Sequence, residues 1–129
     1  MTATVEEVLA LADVKQCLKD TGVDSTYGHC HNACVWLIMQ IKKAGVSDYN
    51  IWLNTGTFWG KDHSWLVVTE ADPEDINEEI YTVIDMTVDQ FVPTRKVPFS
   101  GPQTDEYDAT ESVLLCMDEE LLALVNRLG

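Results

Sequence analysis

Gly28-His-Cys30-His-Asn-Ala-Cys34-Val-Trp36-Leu-Ile-Met-Gln-Ile41-Lys-Lys-Ala44-Gly45 is the stretch that decides the architecture of this chain. Between Cys30 and Ala44 the apolar residues Ala33, Cys34, Val35, Trp36, Leu37, Ile38, Met39 and Ile41 run almost all round a helix. Such a helix belongs inside a domain, with other elements packed about it. Lys42 and Lys43 fall in its last turn, where cations suit the dipole, and Gly45 is a natural C′ stop.

Working outward, residues 5–20 read as one amphipathic helix, with Val5, Val8, Leu9, Leu11, Ala12 and Leu18 at roughly helical spacing. Thr4 is its expected N-cap, Glu7 completes a capping box, and Gly22 ends it. On the other side, 49–54, 64–70 and 80–86 read as strands rich in β-branched and aromatic residues. Turn signals at Thr55-Gly56, Gly60-Lys-Asp62 and Asp72-Pro73 punctuate them, and the acidic stretch 71–79 reads as a solvated turn. Pro93, Pro98, Gly101 and Pro102 predict an irregular 92–110, followed by a strand over 112–116 and a helix over 118–128. Helices first and an antiparallel sheet afterwards predict an α+β fold, a central buried helix on a small antiparallel sheet. At 129 residues the expectation is one domain, with a helix in 1–22, a core in 28–91 and an arm in 92–129.

The charge is lopsided: 22 Asp and Glu against 8 Lys and Arg, a net −14. That opposes a phosphate-tracking nucleic-acid binder, which needs a cationic face, and opposes adsorption to anionic membranes. A cationic partner, nucleic-acid mimicry or adaptation to high salt remain compatible with it. The acids crowd 71–79, 105–111 and the two ends, while Cys30 to Ile41 carries none. No apolar run reaches membrane-spanning length and the start has no basic n-region. Cys17, Cys30, Cys34 and Cys116 form neither paired knuckles nor a disulfide framework, so the expectation is reduced thiols in a cytoplasm where the protein is made.

Chemistry concentrates at Cys30. A helix N-terminus carries unpaired N–H groups and positive potential, which favour a thiolate and can stabilise the oxyanion its attack creates. His63 opens the second strand, on one face with Trp65 and Val67, which predicts an edge or mouth position for a general base. Asp85 is the single acid inside the apolar run of the third strand and needs a partner there. The interval from Cys30 to His63 can finish a helix and lay down one strand. That from His63 to Asp85 has the length of one antiparallel hairpin, whose pairing brings the two together.

In this order, Gly28-x-Cys30-x-x-Ala33, His63-Ser-Trp65, and Asp85-Met-Thr87 with Gln90-Phe91 resemble the papain-like superfamily. The likeness is to its compact bacterial and viral branches: papain-fold toxins, protein-glutamine deamidases and transglutaminase-like peptidases. It covers 28–91, about half the chain. It implies a papain-like core with Cys30 as nucleophile, His63 as base and then acid, and Asp85 as orienter, with no cofactor. The Gln that often precedes the cysteine in that family is missing from 20–28, so the oxyanion hole falls to the Cys30 N–H with Tyr27, Ser25 or His29. Trp59 and Trp65 are candidate cleft walls.

Blander roles compete. Cys17, Cys34 and Cys116 read as core, as do Trp36 and Trp52. Asp85 could instead cap the turn at Met86, with Asp89 taking its place. His29, Cys30, His31 and Cys34 lack a second ligand pair that would close a metal site, so no metal is expected. The resulting expectation is acyl transfer through a thioester, hydrolysing a peptide or side-chain amide of a protein substrate. The alternative is a non-enzymatic acidic binding or inhibitor protein on a degenerate papain-like fold.

Overall fold

The computed structural model describes residues 2–23, 28–72 and 75–117, and for 71, 72, 75–80 and 117 the backbone alone. The predicted helix over 118–128 and the oxyanion candidates Ser25 and Tyr27 lie outside the described residues. Three helices precede a five-stranded sheet, an α+β arrangement: α1 (Val5–Leu11), α2 (Val14–Thr21), α3 (Cys30–Ala44), then β1 (Ile51–Phe58), β2 (Lys61–Asp72), β3 (Asp75–Asp85), β4 (Phe99–Pro102) and β5 (Tyr107–Leu114). The spatial order is β4-β3-β2-β1-β5, and every neighbouring pair is antiparallel. Among the described residues no helix is long and apolar enough to cross a membrane.

The local signals explain α3 and correct the first helix. α3 stops at Gly45, which takes the left-handed conformation at φ 70 and donates back to the Ile41 and Lys42 carbonyls. Thr4 and Glu7 form the full capping box of α1. The single helix expected over 5–20 is instead two. Asp13 leaves helical geometry to cap α2 by accepting the Gln16 N–H at 3.0 Å, a local bond that competes with helix continuation. The two segments keep their shared apolar face, so Val8 and Cys17 both remain buried against the α3 core.

The strands run further than their apolar runs. The stretch 71–79 is not one long turn, because β2 continues to Asp72 and β3 begins at Asp75. Backbone ladder bonds hold these acidic segments, which hydrophobic patterning cannot detect. Thr55-Gly56 is no turn either. It lies within β1 at a register shift against β5, and a Cβ on Gly56 would stand 2.0 Å from the Asp108 carbonyl. The glycine is there so that two backbones can meet. The turn comes at Trp59-Gly60, with Trp59 itself at φ 48. The irregular stretch expected over 92–110 contains β4 and the start of β5.

β4 and β5 lie at opposite edges of the sheet, roughly 19 Å apart if it were flat. The link from Pro102 to Tyr107 spans at most about 18 Å when extended. It is not extended, since the Tyr107 N–H bonds the Thr104 carbonyl at 3.0 Å. The sheet must therefore curl until its edges approach.

Curling separates two cores. Leu66, Val68 and Ile84 point outward to α3, joining Leu37, Ile38 and Ile41. Trp65, Val67 and Val83, one residue out of phase, point inward with Phe58, Val88 and Tyr107. Each fully buried aliphatic or aromatic side chain contributes about 1.5–3 kcal/mol, so both layers matter. Asn50 pins the chain's start across the sheet, accepting the Ala3 N–H at 2.7 Å and donating to the Ala3 and Thr69 carbonyls.

Candidate active site

α3 and the curled sheet bring Cys30 to the open end of the β2–β3 ladder. That ladder begins at the pair Leu66–Ile84, so the β3-facing edge of Ser64 is not used for strand pairing. There the Ser64 and His31 backbones lie close enough to the Cys30 sulfur to favour its ionised form. Cys30 is half-buried, whereas Cys34, one turn deeper, and Cys17 are fully buried. The expectation that Cys116 is core is corrected: beyond the end of β5 it is half-exposed.

His63 and Asp85 reach this point from the inner face of the sheet. Continuing the Leu66–Ile84 register sets Asp85 opposite Trp65, diagonal to His63 on the same face. The imidazole Nε2–H donates to Asp85 Oδ2 at 2.7 Å, and both side chains are almost entirely shielded from solvent. The edge or mouth position expected for His63 is corrected: it is 2% exposed, because aromatics close over it. Trp65 stacks beside the imidazole at 5.7 Å and Phe91 meets it edge-on at 4.9 Å. Trp65 is thus completely buried and supports His63, rather than forming a cleft wall. Trp59 sits out on the β1–β2 turn, 62% exposed, with its ring 5.1 Å from Phe58. Trp36 is core, as read, and donates its indole N–H to Asp20, while Trp52 is only partly buried. His29 occupies the N-cap of α3 and makes no side-chain capping bond.

The Asp85 carboxylate does two jobs at once. Oδ1 accepts the Thr87 N–H at 2.9 Å, which is the turn-capping role, and Oδ2 takes His63. Oδ2 also accepts the Tyr107 hydroxyl at 2.9 Å. Tyr107 escaped the sequence reading because it lies in a stretch read as irregular, on a strand at the far edge of the sheet. Its position in Glu106-Tyr107-Asp108, an aromatic between acids, was the available signal. Gln90 was also given no role of its own. Its Oε1 accepts the Gly28 N–H at 2.9 Å and its Nε2 donates to Thr87 Oγ1 at 3.2 Å.

Electrostatics favour charge separation between Cys30 and His63. Burial alone would lower the imidazole's proton affinity, but the bond to Asp85, the nearby Cys30 sulfur and both negative charges outweigh it, so His63 is pushed up from 6.5 to about 9. Burial likewise opposes ionising Cys30, yet His63 and the Ser64 and His31 backbones hold its thiol below the ordinary value. Cys34 goes the opposite way, raised by burial and by the charges of Asp85 and Cys30. With Nε2 committed to Asp85, buried Nδ1 has no aligned hydrogen bond and is the nitrogen left for the thiol. The two groups are near enough to shift each other.

A cavity of about 640 Å³ stands apart from this site. It lies along α3 between Asp20, Trp36 and Lys43, touches His31 at one end, and carries no cysteine. A much smaller enclosed cavity is lined by Cys30, Cys34, Ser64 and Thr87. Compared with protein-family models, with curated proteins and with solved structures, the chain matches none.

Proposed function

We propose that this protein is a cysteine-dependent acyl-transfer enzyme with a papain-like core, hydrolysing a peptide or side-chain amide of a protein substrate. The observation that carries the reading is a single buried imidazole bonded to Asp85 at 2.7 Å and coupled, through its other side, to a half-exposed cysteine at a helix start. In the mechanism, the Cys30 thiolate adds to the amide carbonyl and the oxyanion leans on the first N–H groups of α3. His63, as imidazolium, gives its proton to the leaving amine, leaving a thioester on Cys30. Neutral His63 then takes a proton from water, whose oxygen attacks the thioester, and the acid product leaves as the thiolate and imidazolium return.

The net −14 charge lies away from Cys30–Ile41 and supports a cationic protein as the substrate. The test is mass spectrometry of lysine- and arginine-rich proteins incubated with wild type, Cys30→Ala and His63→Ala. Cleavage, or a gain of about 1 Da per converted amide, in the wild type alone supports hydrolysis. Iodoacetamide labelling at pH 6 is the substrate-free companion. Selective Cys30 alkylation that His63→Ala abolishes supports the ion pair, and equal slow labelling of all accessible thiols removes it.

A further inference from the structure

We propose that Tyr107 is a positioning residue of the acyl-transfer site: its hydroxyl fixes the Asp85 carboxylate and shares its charge, so restraining how strongly Asp85 draws on His63. This rests on the acyl-transfer reading and adds to it a fourth group, on a strand that the Cys-His-Asp pattern does not include.

The geometry is specific. The hydroxyl donates at 2.9 Å to Oδ2, the same oxygen that accepts the imidazole N–H, while Oδ1 is occupied by Thr87. A carboxylate oxygen with two donors divides its electron density between them, so each bond is weaker than it would be alone. The phenol's own alternatives are few. Tyr107 is 5% exposed, packed at 4.9 Å against both Trp65 and Phe58. A buried hydroxyl left without a partner costs free energy, so the bond to Asp85 is retained. Burial, followed by the nearby Asp85 charge, also raises the phenol's pKa, which keeps it a donor throughout the working range.

The ionisable groups around Tyr107 come from three other segments. Asp85 is on β3, His63 on β2, and Arg95 on the 91–98 connection, where its guanidinium is bonded to Glu106 at 2.9 Å. Arg95 and Glu106 pair with one another, and the guanidinium also lies close to the phenol, so among the acidic groups it is Asp85 to which the hydroxyl donates directly. Fixing matters as much as charge. A carboxylate held at both oxygens cannot rotate away from the imidazole when His63 is transiently neutral.

The consequence is a limit on the basicity of His63. Without the hydroxyl, more of the carboxylate's charge faces the imidazolium, which then holds its proton more tightly and returns it to the leaving amine more slowly. The experiment is the pH dependence of Cys30 alkylation by iodoacetamide, read at the Cys30 peptide by mass spectrometry, for wild type, Tyr107→Phe and His63→Ala. Tyr107→Phe keeps the ring and its packing. Its upper transition, where His63 loses its proton, is expected to move up by roughly one unit. A curve that superimposes on wild type, or moves down, overturns the role of Tyr107. If wild type and His63→Ala give the same curve, the triad reading itself fails, which is a separate result. Should Tyr107→Phe not fold, 3-fluorotyrosine at position 107 supplies a stronger donor of nearly the same shape and must move the transition down. No movement there is equally fatal.

Discussion

Gln90 Oε1 accepts the Gly28 N–H at 2.9 Å, so the segment that carries Asp85 also holds the loop that delivers Cys30. The other end of the same amide donates to Thr87 Oγ1, and the Thr87 N–H in turn bonds Asp85. The Gly28–Cys30 segment and the Asp85 carboxylate are thereby joined by a path that does not pass through His63. Gly28 sits at φ 75, in the left-handed region that glycine adopts without steric cost.

Removing that brace should loosen Cys30 before it unfolds the protein. Gln90→Ala is expected to cost about 1 kcal/mol of stability, the worth of ordinary hydrogen bonds at a half-buried position. Cys30 alkylation at pH 6 should slow several-fold as the loop samples other positions. Urea unfolding and labelling rates measured side by side check both. An unchanged labelling rate would mean the loop is held by other contacts.

Asp85→Asn keeps the shape and removes the charge. His63 then loses its first favourable partner while the burial that opposes its protonation remains. The imidazole should be neutral at pH 7 and the Cys30 thiol no longer depressed, with labelling at pH 6 falling roughly tenfold or more. Asp85→Ala strands the Tyr107 hydroxyl and the Thr87 N–H as well, and should cost about 3 kcal/mol or more. Labelling-pH curves and denaturant midpoints distinguish the two variants.

The stability of the fold against pH should be flatter in the wild type than in Cys30→Ser. His63 is raised on folding from 6.5 to about 9, so its stabilisation is complete below 6.5 and lost as pH climbs through about 9. Cys30 is lowered on folding, so its stabilisation is complete above the unfolded thiol's value and lost as pH falls through the folded one. The two slopes oppose each other, because on folding the imidazole gains proton affinity while the thiol loses it. Cys30→Ser removes the thiol half and leaves the pull of Asp85. Its unfolding free energy should fall more steeply than that of wild type as pH rises from 6.5. Urea midpoints at half-unit pH steps measure this.

Gly56→Ala tests the curl. The added Cβ would collide with the Asp108 carbonyl at 2.0 Å and the Thr110 nitrogen at 2.8 Å, both backbone atoms that cannot step aside alone. A loss of about 3 kcal/mol or more is expected. Since Tyr107 opens β5 opposite Phe58, the site should loosen too, shown by a lower Cys30 labelling rate at a denaturant-free pH 6. Stability unaffected by the change would mean β1 and β5 do not approach as described.

Where the governing physics was local, the sequence sufficed. An all-round apolar face ending in Lys42-Lys43-Ala44-Gly45 specifies α3 to the residue, and Thr4 with Glu7 specifies a helix start. A two-residue side-chain period and a hairpin's length are likewise enough to put His63 and Asp85 on one face of neighbouring strands. Asp13 was less legible, because cap and helix interior compete by small energies that only the packing of two short helices against α3 resolves. The remaining features depend on closure. Tyr107 meets Asp85 across the sheet order, Trp65 and Phe91 seal an imidazole that strand alternation alone would leave at a mouth, and Gly56 permits a crossing of backbones. None of these contacts has a spacing in the chain, since each exists only after β4 and β5 are drawn together. The sequence by itself determined which residues could carry the proposed chemistry; the curl of the sheet decided that His63 and Asp85 sit buried and braced.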